Sequence, residues 1–219
     1  MENKQKYVKN VGYSKKISYI CKYKSLSVMM IDLCNKLIDN NLTKNDLLER
    51  IEIRKTSVED FEVICKTLAK AFDLSSPNEA AFQLRNSLAR LDESVKLVDK
   101  ENGDIYGLLI LCEYPITVGS PLMRESKALG LFFEQFKQLN GHSFIIDERL
   151  RGCGLDKKML YFNTEFIRDN YDLLWIGVER GLRSHAYWQR LGFVEVFKIE
   201  EAMFYMIPLS EKLIKNYLL

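Results

Sequence analysis

With 219 residues, 47% of them hydrophobic and 11% aromatic, the chain carries enough apolar material to bury a core of its own, and its composition is not that of a disordered segment. Its 32 Lys and Arg against 30 Asp and Glu leave a formal charge of +2, so the overall balance points neither to a nucleic-acid field nor, with no window approaching about 18 uncharged apolar residues, to a membrane span. Five cysteines (Cys21, Cys34, Cys65, Cys112, Cys153), odd in number, scattered and without a C-x-x-C, argue against a disulfide framework and against a zinc site. The opening MENKQKYVKN lacks the apolar stretch of a secretory signal. A metal-free protein of the reducing cytoplasm is the expectation.

A boundary falls near residue 50. Residues 1–24 hold seven Lys against one acid, Glu2, with Tyr7, Tyr13, Tyr19 and Tyr23 interspersed. This stretch reads as a solvated basic extension, or as an arm for nucleic acid whose affinity would fall steeply with salt. Val28, Met29, Ile31, Leu33 and Leu37 recur at helical spacing over 26–38, and Thr43 is a natural N-cap for a helix that follows.

From Ile51 the elements follow one another closely. IEIRK alternates as a half-buried strand, and Thr56 with Glu59 predicts a capping box opening a helix to Ala71 with Phe61, Ile64 and Leu68 on one face. Ser76-Pro77-Asn78-Glu79 starts a second helix, with an N-cap, proline at the first helical position and glutamate at the third. SVKLVDKENGDIYGLLILCEYPI predicts a hairpin turning at Asn102-Gly103, its second strand apolar enough to be covered on both faces. Leu122, Leu129, Leu131, Phe132 and Phe136 predict a helical insertion over about 119–139. HSFIID reads as a strand, and 155–171 as a helix with Leu155, Met159, Phe162 and Phe166 in one stripe. DLLWIGV is a strand, RSHAYWQRL a short helix stopped by Gly192, and FVEVFKI and AMFYMIPL are closing strands. The alternation predicts an α/β (α+β) mixed sheet with helices on both faces, occupying 51–209, followed by a tail over 210–219.

Arg151-Gly152-Cys153-Gly154 lies between a strand and a helix. There the unpaired backbone N–H groups and the positive end of the helix dipole make a site for an anion, glycine admits close approach, and Arg151 adds a charged donor. A phosphate or pyrophosphate is the expected ligand.

These residues resemble the GNAT family of acetyl-CoA-dependent N-acetyltransferases over about 51–209. The family's pyrophosphate pattern, Q/R-x-x-G-x-G/A, is met by Arg151-Gly152-Cys153-Gly154-Leu155-Asp156 at every defined position but the last. Asp156, where a small residue is usual, implies either a shifted loop or coenzyme binding weakened by repulsion. A second pattern, A-x-x-x-Y-x-x-x-G-F, corresponds to Ser184 through Phe193, with Trp188 at the tyrosine. The resemblance implies a mostly antiparallel sheet with a splayed strand pair at the acetyl-CoA site. It also implies transfer of acetyl from acetyl-CoA to a primary amine of a small molecule, peptide or protein. Phe144 and Ile146 would pair their backbone with the pantetheine amides, and Arg151, Gly152, Cys153, Gly154, Leu155 and Asp156 would hold the pyrophosphate. His142 takes the place of a catalytic base, and Tyr187 is the hydroxyl nearest in sequence to Trp188, whose indole releases no proton at useful pH. His185 reads as a helix-end residue. Gly177 stands where some peptide N-terminal acetyltransferases carry a glutamate, which disfavours that subclass. The alternative is a GNAT-like module that binds an acyl-CoA without transferring it. The acceptor amine has no pattern that names it, and the insertion has apolar residues to pack on its own domain or in a homodimer.

Overall fold

The Asn-Gly turn joins the second and third strands of the sheet. Strands β2 (Val95–Asp99) and β3 (Ile105–Cys112) run antiparallel from it, and Gly103 takes a φ of +80° that the tight turn requires. The computed structural model describes residues 44–210 apart from 118, 121–126, 183 and 201; the basic extension, the helix expected over 26–38, the Thr43 cap and the tail after 210 lie outside the described residues.

A short helix α1 (Lys44–Arg50) leads into β1 (Ile51–Lys55) at one edge of a seven-stranded sheet ordered β1-β2-β3-β4-β5-β7-β6. Its other members are β4 (Gln138–Ile146), β5 (Leu173–Glu179), β6 (Val194–Lys198) and β7 (Ala202–Pro208). Only β4 and β5 pair in parallel, joined by the crossover helix α5 (Leu155–Ile167); every other neighbouring pair is antiparallel. The mixed sheet expected from the sequence is present.

Helices cover both faces because β3 and β5 send alternate side chains to opposite cores. Leu109, Leu111, Leu174 and Ile176 pack with Leu47 of α1 and with Met159, Leu160 and Ile167 of α5. Leu108 and Ile110 pack instead with α2 (Phe61–Ala71) and α3 (Pro77–Asn86) through Ile64, Leu68, Ala80 and Leu84. Leu173 and Trp175 join Phe133 of α4 (Lys127–Phe133), Phe136 and Phe204 in a third cluster. No described helix is long and apolar enough to cross a membrane.

Four local expectations shift. The helix entrance is capped at Ser57, whose backbone N–H donates to Asp60 at 2.9 Å, rather than at Thr56. Thr56 is buried, its hydroxyl donating to the Leu91 carbonyl and its N–H to that of Ser94 at 3.0 Å, so tertiary bonds claim the groups a cap would use. Ser76 does cap α3, but Glu79 turns back to the Ser75 N–H at 3.0 Å. Strand β4 begins at Gln138, four residues before HSFIID, because its first three residues are claimed by β5. On α5 the buried residues are Leu155, Met159, Leu160, Asn163 and Ile167, leaving Phe162 exposed.

Candidate functional site: a splayed strand pair leading into a glycine loop

Strands β4 and β5 pair over three residues and then part. Gln138 opposes Leu173, Leu139 opposes Leu174 and Asn140 opposes Trp175, after which neither strand bonds the other. The Asn140 side-chain amide closes the vertex by donating to the Trp175 carbonyl at 3.2 Å. Gly141 follows, and a Cβ there would stand 2.8 Å from the Ile176 methyl, so only glycine lets the strands meet this closely before they diverge. From Gly141 to Ile146 β4 has β3 on one side and no strand on the other, which leaves main-chain donors and acceptors facing the wedge.

Within that segment the β3–β4 ladder slips. Ile110 opposes Ser143 and Leu111 opposes Gly141, so His142 is the extra residue of a β-bulge. Its Nδ1 lies 2.7 Å from the Ser143 hydroxyl, and burial pulls its pKa down to about 4, so the ring is neutral at physiological pH.

The strand ends in a tight turn. Asp147, buried, accepts from the Arg149 backbone N–H at 2.9 Å and from the Arg149 guanidinium at 3.2 Å, which fixes the approach to Arg151. Gly152 and Gly154 then take φ values of +75° and +73°, a conformation that suits glycine, and α5 begins at Leu155. The first helical bond runs from the Lys158 N–H to the Gly154 carbonyl at 3.1 Å, so the N–H groups ahead of it have no helical acceptor. A Cβ at either glycine would meet nothing within 4 Å, so the loop is open in front. Such a cradle fits a pyrophosphate.

Helix α6 (His185–Arg190) closes the far side of the wedge. Trp188 packs its ring 5.7 Å from Phe144 of β4 and 5.3 Å from Phe193.

The chain is similar in fold to several solved structures. They include the GNAT family N-acetyltransferase YhbS from Escherichia coli in complex with CoA, at a TM-score of 0.53 and 19% identity over 76% of this chain and 86% of that one. Ard1 from Thermoplasma volcanium matches at 0.51 and 14%, covering 74% of this chain and 99% of its own. The NatC complex bound to Gag peptide and CoA contains a chain matching at 0.51 and 16%, with 74% and 99% covered. The chain has the GNAT fold. No protein-family model and no curated protein matches its sequence.

Within the GNAT fold the glycine loop offers a second register for the pattern read from the sequence. The same six-residue pattern is met at every defined position two residues earlier, by Arg149-Leu150-Arg151-Gly152-Cys153-Gly154, and its two glycines are then the two left-handed residues. In that register Asp156 falls outside the pattern, and it lies inside the first turn of α5, where a carboxylate suits the helix dipole. Of the other residues expected at the anion, Leu155 is buried against the core and presents only its main chain. The Cys153 N–H, expected as an anion donor, is directed at the Leu150 carbonyl at 3.4 Å.

The residues of the second pattern divide. Tyr187 turns to Asp156: burial and a hydrogen bond to that carboxylate push its phenol above the ordinary range, so it stays protonated. His185 is committed at both ring nitrogens, to the Tyr205 hydroxyl at 2.9 Å and the Glu179 carbonyl at 3.0 Å, and acts as a structural tie. At Gly177 a Cβ would press within 3.1 Å of the Phe204 ring, so the position carries no acid and has no easy room for one. Among the described residues no three His, Cys, Asp or Glu side chains come together as a metal site. The bulge, Ser143, Asn140 and the Asp147–Arg149 pair were not picked out from the sequence, because each takes its meaning from the strand or turn opposite it.

Proposed function

We propose that the protein transfers the acetyl group of acetyl-CoA directly to a primary amine of a small molecule, peptide or protein. The observation that carries this reading is the continuity of the site: a strand freed from its parallel neighbour runs straight into the left-handed glycines and the open N-terminus of α5. YhbS and NatC are described with CoA bound, which supports a CoA thioester as the ligand class.

When bound, acetyl-CoA supplies an activated acyl carbon. Gly152, Gly154 and the first-turn N–H groups of α5 hold the pyrophosphate, with Arg151 beside them, and the β4 main chain at Phe144 and Ile146 pairs with the pantetheine amides. His142 is the imidazole of the wedge, serving the amine as a base or the thioester carbonyl as a donor. The leaving thiolate takes its proton from Tyr187 or from water, since Trp188 has none to release. The protein works as a metal-free enzyme of the cytoplasm in this reading.

Calorimetry with acetyl-CoA tests it. Gly154→Ala is expected to fold but to bind about ten-fold or more weakly, because alanine at a φ of +73° strains the loop and sets a methyl group where the anion must approach. Absence of binding to the folded wild type would falsify the reading. Binding without release of CoA thiol across a panel of amines would leave the second reading, a non-catalytic acyl-CoA-binding module, which the Trp188 substitution favours.

A further inference from the structure

His142 and Ser143 sit side by side in the bulge, with 2.7 Å between Nδ1 and Oγ. A neutral imidazole has one proton to place. In one tautomer the proton is on Nε2, and the Ser143 hydroxyl donates to a bare Nδ1. In the other, Nδ1–H donates to Ser143 Oγ, Nε2 is bare, and the serine proton needs a different acceptor.

The surroundings decide between them. Ser143 is only 7% exposed, and among the described residues its hydroxyl has no partner besides His142. A buried O–H left without an acceptor is disfavoured enough to bias the pair about ten-fold toward the first arrangement. Nε2 has no protein partner among the described residues and is the nitrogen left for a ligand, in contrast to His185, both of whose nitrogens are taken.

We propose that Ser143 is a positioning residue whose hydroxyl holds His142 in the Nε2–H tautomer, so that the ring presents a hydrogen-bond donor to the wedge rather than a bare basic nitrogen. The matching ligand atom is an acceptor, a carbonyl oxygen or an oxyanion. For acetyl transfer, on which this consequence rests, His142 then steadies the thioester carbonyl oxygen as charge develops on it and keeps its own proton throughout. Deprotonation of the amine falls to another group or to solvent.

The tautomer can be read without turnover. The chain has two histidines, so long-range proton–nitrogen correlation spectra of the full chain labelled with 15N-histidine, at pH 7, give two ring patterns, and His142→Asn assigns them. The expected result is a His142 pattern about ten-fold in favour of Nε2–H, a bias lost in Ser143→Ala and kept in Ser143→Thr. A wild-type ring mainly protonated at Nδ1 overturns the proposal, as does an unchanged ratio in a folded Ser143→Ala. If that variant does not fold, the wild-type spectrum still decides. An Nε2–H ring in a protein that releases no CoA thiol with any amine would sink the acetyltransfer reading and leave the tautomer assignment standing.

Discussion

His142 shows how far one side chain's setting can be turned into a measurement. Its folded pKa of about 4 lies below the ordinary value near 6.5, so between these two pH values the unfolded chain takes up a proton that the folded chain refuses. Stability is therefore full above about pH 6.5 and falls as the pH drops toward 4. Urea melts at pH 7 and pH 5 are expected to show the wild type losing about 2 kcal/mol more than His142→Gln. Tyr187 makes a kinetic prediction. Because Asp156 already engages its hydroxyl and burial opposes ionisation, Tyr187→Phe should lower kcat by less than about ten-fold, with water returning the proton, and a loss of about 100-fold or more would make Tyr187 the acid. The glycines of the loop ahead of α5 were legible as sequence because their left-handed conformation admits few alternatives. Their place in the six-residue pattern was not, since the spacing is met or nearly met in two registers, and only the φ angles at Gly152 and Gly154 choose between them.

Among elements, the insertion and the splayed strands differ most in how they are held. Gln138, at the buried start of β4, accepts from the Ile116 N–H at 2.8 Å and donates to the Ile116 carbonyl at 2.9 Å and the Phe133 carbonyl at 2.7 Å. One amide thus ties the loop after β3 and the end of α4 to the sheet. Gln138→Ala would unpair three backbone groups, and a loss of about 2–4 kcal/mol in urea unfolding is expected, with faster amide exchange at Ile116. Strand and helix identities were largely readable from periodicity, and β3 was correctly placed inside the sheet by its run of apolar residues. The splay was not readable, because it depends on β5, whose pairing with β4 stops after Asn140.

At the scale of the molecule, two partly or fully buried carboxylates fasten the β1–β3 end of the sheet. Burial alone would raise the Asp99 carboxyl, but the Glu101 N–H at 2.8 Å and the Arg50 guanidinium at 2.6 Å hold it below its ordinary value. Asp60, likewise opposed by burial, is held down by Lys96 at 2.5 Å. A depressed folded pKa contributes stability above the unfolded value near 4 and loses it as the pH falls through the folded one. A second acid transition is therefore expected below about pH 4, and Asp99→Asn should flatten it in a pH series of thermal melts. The order of elements, the two-sided sheet and a glycine loop ahead of α5 were determined by the sequence alone, because alternation, caps and turn residues act between neighbours along the chain. The bulge at His142, the vertex at Asn140, the register of the glycine pattern and the pairing of Tyr187 with Asp156 were decided by the tertiary structure. Each depends on which backbone or side chain, often dozens of residues away, comes to lie opposite, and a local pattern holds no record of that.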